Sequence, residues 1–285
     1  MRNSEASPPT NKTAVQALLA ANGLFPKKMR GQHFLIDPNL IEAIARHSGA
    51  TRDDCVLEVG TGTGVLTWEL AARAGCVVTC DVDVKLQKAA RGAAAWPEHV
   101  RFESGDVLKS KRELNPNITS AWLEEQSQRD LAHLLVAANL PYSVATPFLA
   151  SLLWSGIACR DIVVLVQKEA AERFVADVGT AEYGPMTVAV GLLAEAKIER
   201  AVGPRVFWPE PKVQSAVLRL TPKDPSRARQ LAAAGLPQLL HAAFLHRRKT
   251  LRKCIDPARL EAAGVSVDAR PQEVAPESWV GILNA

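Results

Sequence analysis

From Cys55 onward, short apolar runs rich in β-branched residues alternate with longer runs of helical character, and this alternation constrains the fold more than any other feature of the chain. Cys55 to Val59 reads as a buried strand, and Val65 to Ala74 as a helix closed by Gly75. Cys76 to Cys80 reads as a second strand, Val84 to Ala95 as a helix and Val100 to Glu103 as a short strand. The strand Leu134 to Ala138, the helix Pro147 to Trp154, the strand Asp161 to Val166 and the helix Lys168 to Ala176 continue the pattern. Strands joined by crossover helices lie parallel, so the expected fold class is α/β: a doubly wound, mostly parallel, Rossmann-like sheet. Such sheets bind ligands outside the carboxyl ends of their strands.

Two later runs, Ala196 to Val202 and Ser215 to Leu220, have the look of strands with no helix between them and suit a hairpin at the sheet edge. A polar stretch with Pro222 and Pro225 follows, then helical segments over Arg227 to Ala234 and Leu239 to Ile255. These features divide the chain into a flexible tail (residues 1–22), a main domain (23–222) and a small C-terminal helical domain (223–285). The polar segment Lys109 to Asp130 is expected to be an elaborated loop.

Composition narrows the classes. With 285 residues and 47% hydrophobic content, the chain can bury a sizeable core. No apolar run approaches the roughly 20 residues of a membrane span, and the polar N-terminus lacks the apolar stretch of a signal peptide. The expected setting is cytoplasmic. The five cysteines form no Cys-x-x-Cys pair and read as buried small hydrophobes, with no metal site expected. Between Lys197 and Lys253 there are 13 Lys/Arg against 3 Asp/Glu, whereas the remainder of the chain is net acidic. A basic third of this kind is the footprint of a polyanion-binding surface or, equally on charge alone, a solvated face.

Glu58-Val-Gly60-Thr-Gly62-Thr-Gly64 sits at the first strand-to-helix junction. Its third glycine falls one residue earlier than in the dinucleotide-binding pattern, which gives a looser loop without a pyrophosphate cradle. That suits an adenosine cofactor lacking phosphates. Asp81, at the end of the second strand, can accept from both ribose hydroxyls, and Asp106, after the third, from an adenine amino group.

Ala138-Asn139-Leu140-Pro141-Tyr142 follows the fourth strand on the same sheet edge. An exocyclic base amine is a poor nucleophile because its lone pair is delocalised into the ring. Two acceptors on its hydrogens, the Asn139 side-chain oxygen and the Leu140 carbonyl, would free that lone pair. Pro141 stiffens the turn, and Tyr142 can stack on an extruded base. With a sulfonium methyl donor, S-adenosyl-L-methionine, the reaction is an in-line displacement onto nitrogen driven by positioning and electrostatics.

Further motifs carry a family resemblance. They are Lys27-Lys28-Met29-Arg30-Gly31-Gln32-His33-Phe34-Leu35, Gln167-Lys168-Glu169 with Arg173, Tyr183-Gly184, Phe207-Trp208-Pro209-Glu210-Pro211-Lys212-Val213, and Phe244 with Arg247 to Leu251. With the glycine loop and the Asn139 turn, the chain resembles the small-subunit ribosomal RNA adenine dimethyltransferases from about Phe25 to Leu251. The mitochondrial transcription-factor-B-like enzymes and, more distantly, the erythromycin-resistance methylases are similar. The proline segment and the Arg-Arg-Lys run favour the ribosome-assembly branch.

The resemblance implies dimethylation of two adjacent adenosines near the 3′ end of small-subunit rRNA, in a partly assembled subunit, by a monomer. It implies cofactor contacts at His33, Leu35, Gly60, Gly62, Asp81, Asp106 and Asn139, and places Phe207 beside Tyr142 around the target base. RNA phosphate contacts are expected from Lys27, Lys28, Arg30, Arg247, Arg248, Lys249 and Arg252, the last four on a helix. Lys212 either touches phosphate or caps the hairpin. The chain departs from the family pattern with His33 in place of Asn, Asp81 in place of Glu and Thr61 in place of Pro. A non-catalytic RNA-binding checkpoint and a DNA amino-methyltransferase are the rival readings.

Overall fold

A computed structural model describes residues 7–27 and 31–285. Its first helix overturns part of the flexible tail expected over residues 1–22. Helix α1 (Lys12–Ala21) is capped by Asn11, whose side chain accepts from the Ala14 N–H at 3.0 Å. Its buried stripe, Val15 and Leu19, packs with Phe34 and Leu86. Polar flanks disguise this short amphipathic stripe in the sequence.

Strand β1 (Phe34–Leu35) follows, then α2 (Pro38–His47), begun by the Asp37 cap and Pro38 at its first position. The alternation then unfolds as β2 (Asp54–Val59), α3 (Val65–Ala71), β3 (Cys76–Asp81), α4 (Val84–Gly92) and β4 (Val100–Ser104). The expected loop over Lys109 to Asp130 is instead a small hairpin, β5 (Leu108–Ser110) with β6 (Glu113–Leu114), and a helix, α5 (Pro116–Gln128). Ile118, Ala121 and Trp122 of α5 are buried, and the Trp122 indole donates to the Cys55 carbonyl at 2.9 Å. The segment is thus the crossover that the parallel strands require, and its polar residues cover the outer face.

Next come β7 (His133–Asn139), α6 (Tyr142–Ser155), β8 (Cys159–Gln167), α7 (Lys168–Phe174), α8 (Pro185–Leu193), β9 (Ala194–Val202), β10 (Phe207–Trp208) and β11 (Ser215–Pro222). Helix α6 starts five residues ahead of the expected Pro147, because the Pro141 carbonyl already accepts from the Val144 and Ala145 N–H groups. The main sheet has the order β4-β3-β2-β7-β8-β11-β9, with β4, β3, β2, β7 and β8 parallel. The reversed strand β11 lies between β8 and β9 and pairs antiparallel with both, so the expected hairpin forms the sheet edge.

Alternate residues of β2 feed two cores, Cys55, Leu57 and Val59 on one face and Val56 on the other, which is why the strand is apolar throughout.

The chain ends in α9 (Pro225–Ala233), α10 (Leu236–Leu245), α11 (Pro257–Ala262) and α12 (Pro276–Asn284). These helices begin near residue 223, but Leu231, Leu240, Leu260 and Trp279 belong to the same buried cluster as β2 and α6. Tyr183 ties the two regions by donating to the Val274 carbonyl at 2.8 Å. The expected helix Leu239 to Ile255 is interrupted. Residues 246–249 form turns, and the Leu251 N–H bonds the Ala269 carbonyl, which pulls Leu251 into the core. Four cysteines are buried as expected and Cys254 is exposed.

One glycine in the first loop is sterically fixed. Gly64 has φ +84°, and a Cβ there would lie 2.8 Å from the Trp96 ring. That ring cannot swing aside freely, since its indole N–H bonds the Ala90 and Arg91 carbonyls and its faces pack edge-on with Trp68 and Phe102. Gly64→Ala is expected to lose about 2–3 kcal/mol from left-handed strain plus overpacking, a melting point lower by roughly 5–10 °C. Trp96→Leu in the same chain should recover part of it; a calorimetric scan with unchanged melting would refute this.

Candidate active site

The order of strands reverses direction between β2 and β7, and the crevice at the carboxyl ends of these two strands is the topological switch point. Gly60, with φ +88°, leaves β2 so tightly that a Cβ there would lie 3.5 Å from the Asn139 carbonyl and 3.5 Å from the Pro141 ring. The glycine loop and the Asn-Leu-Pro-Tyr turn are therefore neighbours, as the sequence implied. One cleft is lined by both, together with Gly31 to Leu35, Asp81, Asp106 and Phe207.

The cleft wall is acidic. Glu58, Asp81 and Asp106 all line it, and its described lining contains no lysine or arginine. Asp81 is buried, and its two oxygens accept from the Gly62 N–H (2.9 Å) and the Asp83 N–H (2.7 Å). It ties down the glycine loop while its remaining lone pairs stay available to hydroxyl groups. Asp106 is exposed and caps the next turn by accepting from the Leu108 N–H at 2.9 Å. Glu58 is 1% exposed, and the hydroxyls of Thr67 and Thr79 (2.6 Å) donate to its Oε2. Burial pushes its carboxyl up to about 8, against the pull of those two hydrogen bonds.

Such a wall repels phosphates. It suits a phosphate-free adenosine with a cationic tail, which is the chemistry of S-adenosylmethionine; apolar surface from Leu35, Val82, Leu86 and Val107 flanks the acids.

Asn139 ends β7. Its Nδ2 donates to the His33 carbonyl at 3.3 Å. A carbonyl accepts only from the NH2 end, so the amide is oriented and its oxygen is left as an acceptor. The Leu140 N–H is held by the Leu165 carbonyl at 3.1 Å, and its own carbonyl lies one residue ahead of the one on which α6 begins. The Tyr142 hydroxyl bonds the buried Ser215 Oγ at 2.8 Å, which fixes the ring in the cleft. Burial raises the Tyr142 pKa despite the Ser215 bond, so the phenol stays neutral. Phe207 is 3% exposed and is registered opposite Leu35 by the β1–β10 pair.

His33 uses its ring elsewhere than on a ligand: Nδ1 donates to the Pro209 carbonyl at 2.6 Å, and the ring lies 5.7 Å from that of Tyr142. It reaches the cleft while stapling the N-terminal strap to the proline segment.

The basic residues are scattered by role. Lys27 forms an ion pair with Asp83 at 2.5 Å. Lys28 and Arg30 lie outside the described residues. Arg247, Arg248 and Lys249 occupy the turn after α10, not a helix, and Arg252 sits in a short 3-10 turn paired with Asp268 at 3.0 Å. Lys212 is exposed in the loop leading to β11.

Sequence reasoning passed over Glu58, Asp83 and Ser215. The signal for Glu58 was a lone carboxylate in an otherwise apolar buried strand. For Asp83 and Ser215 it was only adjacency to residues already singled out.

Fold and site together define an S-adenosylmethionine-dependent methyltransferase of the class I, Rossmann-like kind. The chain matches the family described as ribosomal RNA adenine dimethylase over residues 26–285. It is 40% identical over 235 residues to the ribosomal RNA small subunit methyltransferase A of Bacillus licheniformis, covering 82% of this chain and 77% of that one. The protein of the same name from Moorella thermoacetica is 35% identical, with 89% of each chain covered. Among solved structures, a dimethyladenosine transferase from Plasmodium falciparum shares the fold, with a TM-score of 0.68, 22% identity and coverage of 88% and 96%. The 23S rRNA methyltransferase ErmE gives a TM-score of 0.59 at 26% identity, covering 88% and 98%.

The chain belongs to the ribosomal RNA adenine dimethylase family. It is an S-adenosylmethionine-dependent rRNA adenine dimethyltransferase with rRNA as its substrate. No helix among the described residues is long and apolar enough to cross a membrane. The described residues also gather no group of three or more His, Cys, Asp or Glu fit for a metal ion.

Proposed function

We propose that this protein dimethylates N6 of two adjacent adenosines near the 3′ end of small-subunit (16S) rRNA, acting as a cytoplasmic monomer on a partly assembled subunit. The observation that carries the mechanism is the oriented Asn139 amide, whose NH2 is spent on the His33 carbonyl. The Asn139 oxygen and the Leu140 carbonyl accept the two N6 hydrogens, which draws the nitrogen lone pair out of the ring. S-adenosylmethionine supplies an electrophilic methyl group on a sulfonium sulfur. Tyr142 and Phe207 hold the flipped base, and the Ser215 bond keeps Tyr142 in place. Because the alkylated nitrogen is cationic and acidic, it gives its proton to water and no general base is assigned.

In this reading residues 223–285 form the RNA-binding helical region, with Arg247, Arg248, Lys249 and Arg252 on phosphates and Lys212 beside the cleft. Arg252 keeps half its side-chain surface exposed while paired, so it can exchange Asp268 for phosphate. The distribution of base amine chemistry and basic charge fits RNA better than duplex DNA. Mass spectrometry of the 16S rRNA 3′ fragment from cells with and without the protein tests the proposal. Loss of four methyl groups, two on each of two neighbouring adenosines, is the expected result. An unmodified fragment in both strains, or loss restored by an Asn139→Ala copy, refutes it.

A further inference from the structure

Lys27 carries one of the sequence's prominent positive charges, yet it points at the cofactor wall. Its Nζ donates to Asp83 Oδ2 at 2.5 Å, and the Gln32 amide donates to the same oxygen at 3.2 Å. The strap is knotted on itself at the same place: the Lys27 N–H donates to Gln32 Oε1 at 2.8 Å. Asp83 is in turn joined to the site, since its N–H donates to Asp81, whose other oxygen holds the Gly62 N–H. The two sides of this chain of bonds, Gly31 to Leu35 and Gly60 to Gly62 with Asp81, are opposite linings of one cleft. The Asp83 side chain is 6% exposed and that of Lys27 42%, so the acid is buried under the strap and the lysine stem covers it. Burial alone would raise the Asp83 pKa; the bonds from Lys27 and Gln32 outweigh it and hold the carboxyl below its ordinary range.

We propose that Lys27, Gln32 and Asp83 are a latch that closes the N-terminal strap over bound S-adenosylmethionine, making Lys27 and Asp83 positioning residues for the donor. Beyond the latch the strap is anchored at two other points, by β1 against β10 and by the His33 ring on the Pro209 carbonyl. The segment between Phe25 and Gly31 has the latch as its described tether to the cofactor wall. Opening it uncovers the ribose side of the cleft without disturbing Asn139 or the base-holding rings. The latch therefore acts on donor binding and on release of the demethylated product, and not on the transfer step. The inference rests on the assignment of this cleft to the cofactor.

The test is made on the full-length protein without RNA. S-adenosylmethionine affinity is measured by calorimetry, and dissociation of S-adenosylhomocysteine by stopped flow, for wild type, Lys27→Met, Asp83→Asn and Lys27→Arg. Asn retains the size and capping capacity of Asp at the start of α4, and the Lys27 stem is exposed, so both chains should fold; circular dichroism melts verify it. The expected result is about tenfold weaker donor binding and faster product release in Lys27→Met and Asp83→Asn, a loss in proportion to one partly buried ion pair. The double variant should be no worse than the poorer single one, and Lys27→Arg should recover most of the affinity.

With small subunits as substrate, the loss should appear in KM for the donor and not in kcat. Donor affinity unchanged in Lys27→Met, with weaker binding to small subunits instead, would overturn the latch and leave Lys27 as an RNA contact. A wild-type protein that binds no donor would instead overturn the assignment of the cleft itself.

Discussion

Asn139→Ala is expected to lower methyl transfer at saturating donor and saturating RNA by roughly 10²–10³, the usual cost of removing one preorganised polar contact to a reacting group. Truncation at this position removes two things at once. The N6 amine loses its side-chain acceptor, and the His33 carbonyl loses the donor that held it at 3.3 Å. The second loss is structural and small, because His33 is also held through its ring by Pro209. Donor affinity should therefore fall less than tenfold, since the Gly62, Asp81 and apolar walls remain.

Asn139→Asp separates the two roles. Its carboxylate offers acceptors to the amine but has no N–H for the His33 carbonyl, and two oxygens facing each other repel. The aspartate variant should thus remain nearly as slow as the alanine one. Single-turnover assays on small subunits read both effects, and a kcat within a few-fold of wild type in Asn139→Ala would remove this residue from the chemistry.

The fold class was legible because burial on both faces leaves parallel strands no choice but continuous apolar sequence, as in Cys55 to Val59. The Asn139 turn and the glycine loop were legible because each needs residue types that little else needs: a φ of +88° at Gly60, a rigid Pro141, an amide at a strand end. Helices with polar outer faces were not. Helix α5 places only Ile118, Ala121 and Trp122 in the core, and α1 only Val15 and Leu19, so their composition reads as loop or tail. Charges were the least legible. Lys27 reads as a phosphate contact beside its basic neighbours, and only the fold brings Asp83 to it from 56 positions along the chain. Arg247 to Lys249 were placed on a helix by local composition, whereas the turn after α10 is imposed by burial of Leu251.

Stability of the cofactor-free protein should fall as pH rises from 5 to 8.5, and Glu58→Gln should remove much of that slope. Glu58 is fully enclosed, with hydroxyl donors from Thr67 and Thr79 but no cation among its printed partners, and burial raises its pKa from 4.5 to about 8. Below pH 4.5 the carboxyl is protonated in both folded and unfolded chains, so its contribution is fully present there. Between pH 4.5 and about 8 the unfolded chain has released the proton and the folded chain keeps it, which costs about 1.4 kcal/mol of stability per pH unit. Above that range both forms are ionised and the loss levels off.

Summed across the window this is on the order of several kcal/mol, an upper bound because local water admission softens it. Glutamine is neutral throughout and can still accept from both threonine hydroxyls through its one oxygen. The variant should match wild type at pH 5 and exceed it at pH 8, by up to about 10 °C in melting point at roughly 2–4 °C per kcal/mol. Other groups titrate over the same range, so the informative quantity is the difference between the two proteins at each pH. Melting curves that run parallel from pH 5 to 8.5 would show that Glu58 is ionised in the folded protein. A cationic donor has the opposite effect on the same carboxyl, favouring its ionised form. Saturating S-adenosylmethionine should therefore flatten the wild-type slope as the substitution does, while giving the glutamine variant a smaller stabilisation at pH 8.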